Sequence, residues 1–208
     1  MRIWHRELGD FGANCYVVAC EETGRALVID PGDPDPWIRR CVDENGLTVE
    51  QIVLTHGHLD HIGGVEWVKG WSGAPVSIHE ADADFLTNPG MNGSLYFGRR
   101  VTAPAADRLL RDGDQVAAGN LLLTVIHTPG HSPGGICLYT PGHLFAGDTL
   151  FAGSIGRTDL YGGDHETLIR AIRTRLLPLP AETVVYPGHG PATTIGDEKE
   201  YNPFLANR

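Results

Sequence analysis

Along the chain, short apolar runs with alternating or continuous character give way to longer stretches in which apolar residues recur every three or four positions. Residues 14–19 and 26–29 are nearly all apolar and are joined by Glu21-Glu-Thr-Gly-Arg25. Runs of that length around a glycine-containing turn predict a β-hairpin, which stops at Asp30-Pro31-Gly32. Over residues 34–44 the period changes: Trp37, Ile38, Cys41 and Val42 fall on one face of a helix that opens near proline and is followed by Gly46. A strand is predicted over 51–54, a helix over 63–71 and another strand over 75–78.

Between 81 and 110 the period weakens. A short helix is predicted over 80–86, after which Asn88-Pro-Gly90, Asn92-Gly93 and Pro104 interrupt every pattern. Long connections in compact domains often cover sites, so Tyr96 and Phe97 read either as pocket walls or as surface packing. Strand character returns at 120–126, 135–139 and 143–145. Residues 165–177 place Leu168, Ile169, Ile172, Leu176 and Leu177 on a helical face, and Pro178 stops it. Residues 183–186 form the last predicted strand, and 193–202 a polar helix. Two clusters of strands, each trailed by helices, predict one domain over 1–208, an α/β fold of two mixed β-sheets flanked by helices, the αββα sandwich.

Charge narrows the partners. With 16 basic against 26 acidic residues and a net charge of −10, the surface would repel nucleic acid and anionic membranes, so neither is expected as a main partner. No basic and apolar leader opens the chain, and no apolar run approaches the roughly 18 residues of a spanning helix; a cytoplasmic protein is expected. Oligomeric state is not legible. The four cysteines, Cys15, Cys20, Cys41 and Cys137, lack the paired spacing of a thiolate zinc knuckle. They read as reduced and mostly buried, with a hairpin disulfide between Cys15 and Cys20 as the alternative.

The chemistry concentrates at Thr55-His-Gly-His-Leu-Asp-His-Ile-Gly-Gly64, directly after the strand at 51–54. On an extended segment residues two apart project to one side, so His56 and His58 can converge on one ion. Asp60 and His61 follow where the chain turns into a helix, placed to serve a second. Imidazoles packed together without an ion would have no compensation for their desolvation. Further donors stand where later strands run into glycine-rich turns: His131, Asp148 and His189. His79 and His127 read as packed residues, because they would oversupply the site. Asp30 reads either as a partner of a metal-bound imidazole or as a turn cap.

The His-x-His-x-Asp-His box and these later donors resemble the metallo-β-lactamase superfamily over nearly the whole chain, and within it the short glyoxalase II-like hydrolases, also called hydroxyacylglutathione hydrolase-like. The resemblance implies one metal site of His56, His58 and His131, a second of Asp60, His61 and His189, and Asp148 bridging both. Asp60 is also carried over as a catalytic residue. It implies two divalent ions, zinc most often, with iron or manganese as alternatives; donors without thiolate do not choose among them. The implied reaction is attack of a metal-bridging hydroxide on a small-molecule thioester, S-lactoylglutathione or another S-acylglutathione.

Glyoxalase II proper resembles this catalytic part followed by a helical extension that helps hold glutathione; little chain follows His189, so glutathione is expected to be held weakly or differently. Arg157, in Gly156-Arg-Thr-Asp159, reads as a substrate-carboxylate fork or as the structural partner of Asp159. The alternatives are a mononuclear-iron persulfide dioxygenase built on His56, His131 and Asp148, a hydrolase of a lactone or phosphodiester, and a metal-stabilised binding protein. Gly130-His-Ser-Pro-Gly134 matches the letters of a serine nucleophile elbow, but Pro133 and the strand that follows break the strand-to-helix context such an elbow needs.

Overall fold

Strand β1 (Arg2–Leu8) leads into the predicted hairpin, β2 (Ala13–Ala19) and β3 (Arg25–Ile29), in a computed structural model that describes residues 1–206. After helix α1 (Pro36–Glu44), β4 (Thr48–Val53), β5 (Val76–His79) and β6 (Arg108–Leu110) complete a six-stranded sheet in sequence order. Its first three strands run antiparallel and β3 to β6 run parallel. The second sheet is built from β7 (Gln115–Ala118), β8 (Leu121–His127), β9 (Ile136–Thr140) and β10 (His143–Gly147), then β13 (Val184–Pro187) and β14 (Thr193–Thr194). Between them β11 (Leu150–Phe151) and β12 (Ser154–Ile155) form a small ribbon.

Alternation decides the layers. In β2 and β3, Tyr16, Val18, Leu27 and Ile29 face the second sheet, where they meet Val116, Leu123, Val125, Leu138 and Phe145. The residues in between, Val17 and Val28 among them, face outward onto Ile38 and Val42 of α1, Ile62 of the short α2 (Leu59–Ile62), and Val65 and Val68 of α3 (Val65–Ser72). On the other side, Leu144 and Val185 pack against Leu168 of α4 (His165–Ala171) and Ile195 of α5 (Ile195–Tyr201). The predicted αββα sandwich is therefore the observed fold. Strands buried on both faces read as continuous apolar runs, which is why the hairpin was legible.

Where the two differ, edges are responsible. Arg2–Leu8 is largely exposed and carries arginine, histidine and glutamate, so its period is masked, as expected for a charged edge strand. The patternless stretch 81–110 ends in β6, whose three residues are too few to show a period. The helix over 165–177 continues, but its last turn, Ile172–Leu176, is widened into a π-helix. All four cysteines are free and buried. No helix among the described residues is long and apolar enough to cross a membrane.

Candidate metal centre

Five strands, β3, β4, β8, β10 and β13, finish at the same edge of the sandwich, and each is followed by a residue of the site. β3 is followed by Asp30, the one non-glycine residue among those described with a positive φ (50°). A left-handed backbone costs such a residue about 1–2 kcal/mol, and it aims the carboxylate inward. Asp30 accepts from the backbone N–H of Thr55 at 2.7 Å and from its hydroxyl at 2.6 Å, and lies 3.0 Å from Nδ1 of His61. It thus caps the turn after β4 and also backs the imidazole of His61.

These contacts assign protons. Because the Thr55 hydroxyl donates to Asp30, it can only accept from His56 Nδ1, 3.1 Å away, which leaves the lone pair on His56 Nε2. Likewise His131 Nδ1 donates to the carbonyl of Arg157 at 2.7 Å. The two Nε2 lone pairs then face each other at 3.2 Å, and His58 Nδ1 stands 2.8 Å from His131 Nε2. Facing lone pairs repel unless a cation lies between them. Ligands at 2.0–2.1 Å from a tetrahedral ion stand about 3.3–3.4 Å apart, close to the 3.2 Å between His56 and His131, while the 2.8 Å between His58 and His131 is a hydrogen-bond distance that an ion would widen.

A second triad sits beside the first. Asp60 Oδ2 lies 3.3 Å from His189 Nε2 and 3.8 Å from His61 Nε2, and the two imidazole nitrogens are 3.4 Å apart. Asp148 stands between the triads: Oδ1 is 3.5 Å from His61 Nε2, and Oδ2 is 3.5 Å from His131 Nε2 and 3.6 Å from His189 Nε2. Asp148 Oδ1 and His58 Nε2 are buried without a hydrogen-bond partner. A buried polar atom left unsatisfied is costly, and a cation satisfies the carboxylate. His56, His58 and His131 form one group able to hold an ion, and Asp60, His61 and His189 another.

Charge follows the same division. Burial, then the neighbouring His61 and His131, hold His56 well below the ordinary histidine range, and burial with His131 does the same to His58. Burial opposes the charge of His61 too, but Asp148, Asp60 and Asp30 outweigh it and push its pKa up to about 10. Burial opposes ionisation of Asp60, yet His61 and His189 hold it well below the usual carboxylate range.

Above the donors opens a pocket of about 350 Å³ whose apolar walls include Phe11, Phe97, Phe151, Ile155 and Leu160. Phe97 packs edge-on against Phe11 at 5.1 Å, so it walls the pocket as one reading anticipated, whereas Tyr96 is 71% exposed. The Arg157 side chain also lines the pocket but makes two bonds, 2.7 and 2.8 Å, to the Asp159 carboxylate. His79 and His127 stack on each other with centroids 4.0 Å apart. Ser132 is buried with its hydroxyl donated to Asp82, so it does not face the pocket. Thr55 and Asp82 went unread in the sequence. The only signal for either was position, a hydroxyl beside the first histidine and an acid inside Glu80-Ala-Asp-Ala-Asp84, which resembles an exposed helix start.

The chain as a whole resembles known proteins in sequence and fold. The metallo-beta-lactamase superfamily model matches residues 8–189. The chain belongs to the metallo-beta-lactamase superfamily. It is 37% identical over 202 residues to the hydroxyacylglutathione hydrolase GloC of Haemophilus influenzae, covering 95% of each chain. The crystal structure of the BLEG-1 B3 metallo-beta-lactamase superposes with a TM-score of 0.95 at 41% identity, covering 99% of this chain and 100% of that one. The protein TTHA1623 in a di-iron-bound form superposes with a TM-score of 0.87 at 38% identity, covering 97% and 100%. Superfamily membership and the clustered donors together make the chain a metal-binding hydrolase of this fold.

Proposed function

We propose that the chain hydrolyses a thioester, with S-lactoylglutathione or another S-acylglutathione as the substrate to test first. The observation that carries this reading is Asp148, one carboxylate placed between two complete donor triads. His56, His58 and His131 would hold one divalent ion and Asp60, His61 and His189 the other, zinc first, with iron or manganese as alternatives. Such ions, when bound, make hydroxide available near neutral pH and polarise a carbonyl oxygen.

The side chains supply the rest. Thr55 and the Arg157 carbonyl hold His56 and His131 in the tautomers that leave Nε2 free, and Asp30 fixes the ring of His61. Asp60, ionised and 15% exposed at its side chain, is the catalytic carboxylate, able to accept a hydrogen bond from the attacking water. Phe11, Phe97 and Leu160 exclude bulk water around the acyl group, which strengthens every polar contact beneath them. Similarity to the Haemophilus hydrolase supports a thioester. Similarity to the BLEG-1 B3 metallo-beta-lactamase favours a second reading, opening of a β-lactam amide at the same donors.

Metal analysis paired with anaerobic turnover tests both. Two ions per chain and oxygen-independent cleavage of S-lactoylglutathione are expected. One iron with persulfide-dependent oxygen uptake would make the chain a dioxygenase instead. Faster opening of a chromogenic cephalosporin than of any thioester would favour the second reading, and a lactone and a phosphodiester complete the panel.

A further inference from the structure

Asp82 belongs to neither triad, yet it touches both loops of the first. It is fully buried in the 3-10 helix Glu80–Leu86. Its Oδ2 accepts from the N–H of Gly57 at 3.0 Å and from the Ser132 hydroxyl at 2.7 Å, while Oδ1 accepts from the N–H of Gly134 at 2.5 Å. Gly57 lies between His56 and His58, and Ser132 directly follows His131. One carboxylate thus ties the end of β4 to the turn after β8, elements of opposite sheets.

The surrounding sequence is fitted to that contact. A Cβ on Gly134 would stand 2.6 Å from the Asp82 nitrogen and 2.7 Å from its Cγ, and one on Gly57 would stand 2.4 Å from Cβ of Phe85. Residues three apart eclipse in a 3-10 helix, so Asp82 and Phe85 work from one face: the carboxylate holds backbone while the Phe85 ring packs near the His58 imidazole, centroids 5.9 Å apart. Burial pushes the Asp82 carboxyl up, and its three donors oppose that shift. Asp30, by contrast, serves His61 directly and His56 through Thr55.

We infer that Asp82 is a positioning residue for the triad His56, His58 and His131 alone, setting the distance between the two loops that carry it. The inference rests on the two-ion reading of the site. An amide cannot replace the carboxylate, because one oxygen takes one donor and the other takes two; in either orientation of Asp82→Asn an NH2 group meets a donor.

The test titrates metal-free protein with cobalt(II), following its absorption spectrum, for the wild type, D82N and S132A, with H58Q and H189Q as references for loss of each triad. Circular dichroism melts of the metal-free proteins run alongside. Wild type should take two ions. D82N should bind one with wild-type affinity and the other about 10- to 100-fold more weakly, with a spectrum matching H58Q, and S132A should weaken the same ion less.

Unchanged affinity for both ions in folded D82N, or equal weakening of both, overturns the inference. Should D82N not fold, S132A decides: selective weakening of the H58Q ion upholds the assignment, and equal affinities reject it. Failure of the wild type to bind two ions is seen before any variant is compared, and sinks the two-ion reading itself.

Discussion

Nδ1 of His61 and Oδ2 of Asp30 lie 3.0 Å apart, an imidazole and a carboxylate both shut off from solvent at the meeting point of β3 and β4. With Asp148 and Asp60 on its other side, His61 carries a proton at neutral pH in the metal-free chain. Its pKa stands above the unfolded value of about 6.5, so the stability it contributes is present below that value and is lost as pH rises toward 10. His56 and His58 act oppositely: they stay neutral in the fold, so stability falls as pH drops below about 6.5 and the unfolded chain takes up protons. The metal-free protein should therefore be most stable near pH 6.5 and lose stability both toward acid and from there toward pH 10, checked by denaturant midpoints from about pH 5 to 10. A midpoint that climbs steadily from about pH 6.5 to 10 would contradict it. Loading metal at pH 7 should release about one proton from His61, measurable with an indicator dye.

Asp148→Asn keeps the size of the side chain and removes its charge. Because both oxygens face imidazoles of different triads, metal content and thioester turnover should fall together. Full occupancy with wild-type turnover would show that Asp148 joins nothing.

Gly188 passes directly against the site: a Cβ there would stand 2.0 Å from Asp148 Oδ1 and 2.9 Å from Cε1 of His61. Gly188→Ala should displace the carboxylate, lower metal content, and cost about 1–3 kcal/mol, the usual range for overpacking. A melting curve and a metal assay read both effects. Gly73→Ala is the contrast, since nothing lies within 4 Å of a Cβ there and only its φ of +70° opposes the change.

Arg157 and Asp159 are joined by two bonds, but their side chains are 42% and 67% exposed. Exposed pairs contribute about 0–1 kcal/mol, so Arg157→Ala should barely shift the melting temperature. Since the guanidinium also lines the pocket, KM should rise for substrates bearing a carboxylate and stay level for neutral esters. Asp159→Ala, which frees the same guanidinium, should move KM the other way.

How much of this was legible in the chain follows from how local each feature is. The His56 to His61 box is contiguous, so its chemistry can be read without a fold. His131, Asp148 and His189 each end a strand beside glycine, and their convergence follows once those strands are placed at one edge of a sandwich. The strand pattern announced that sandwich because apolar alternation and turn residues act between near neighbours. Charged edge strand Arg2–Leu8 and three-residue β6 escaped, since solvent exposure and brevity erase the period.

Contacts between distant segments are a different matter. Nothing in the run Glu80 to Asp84 distinguishes buried Asp82 from exposed acids around it; only the packing of Glu80–Leu86 against Gly57 and Gly134 turns it inward. Asp30 stood out in the sequence as a turn cap or imidazole partner, but that its partners are Thr55 and His61 was decided only by the parallel pairing of β3 and β4. Residue types and their short-range order therefore state which chemistry the chain can perform. Which carboxylate backs which imidazole, and in what protonation state, depends on desolvation and distance, and those exist only after the sheets have closed on each other.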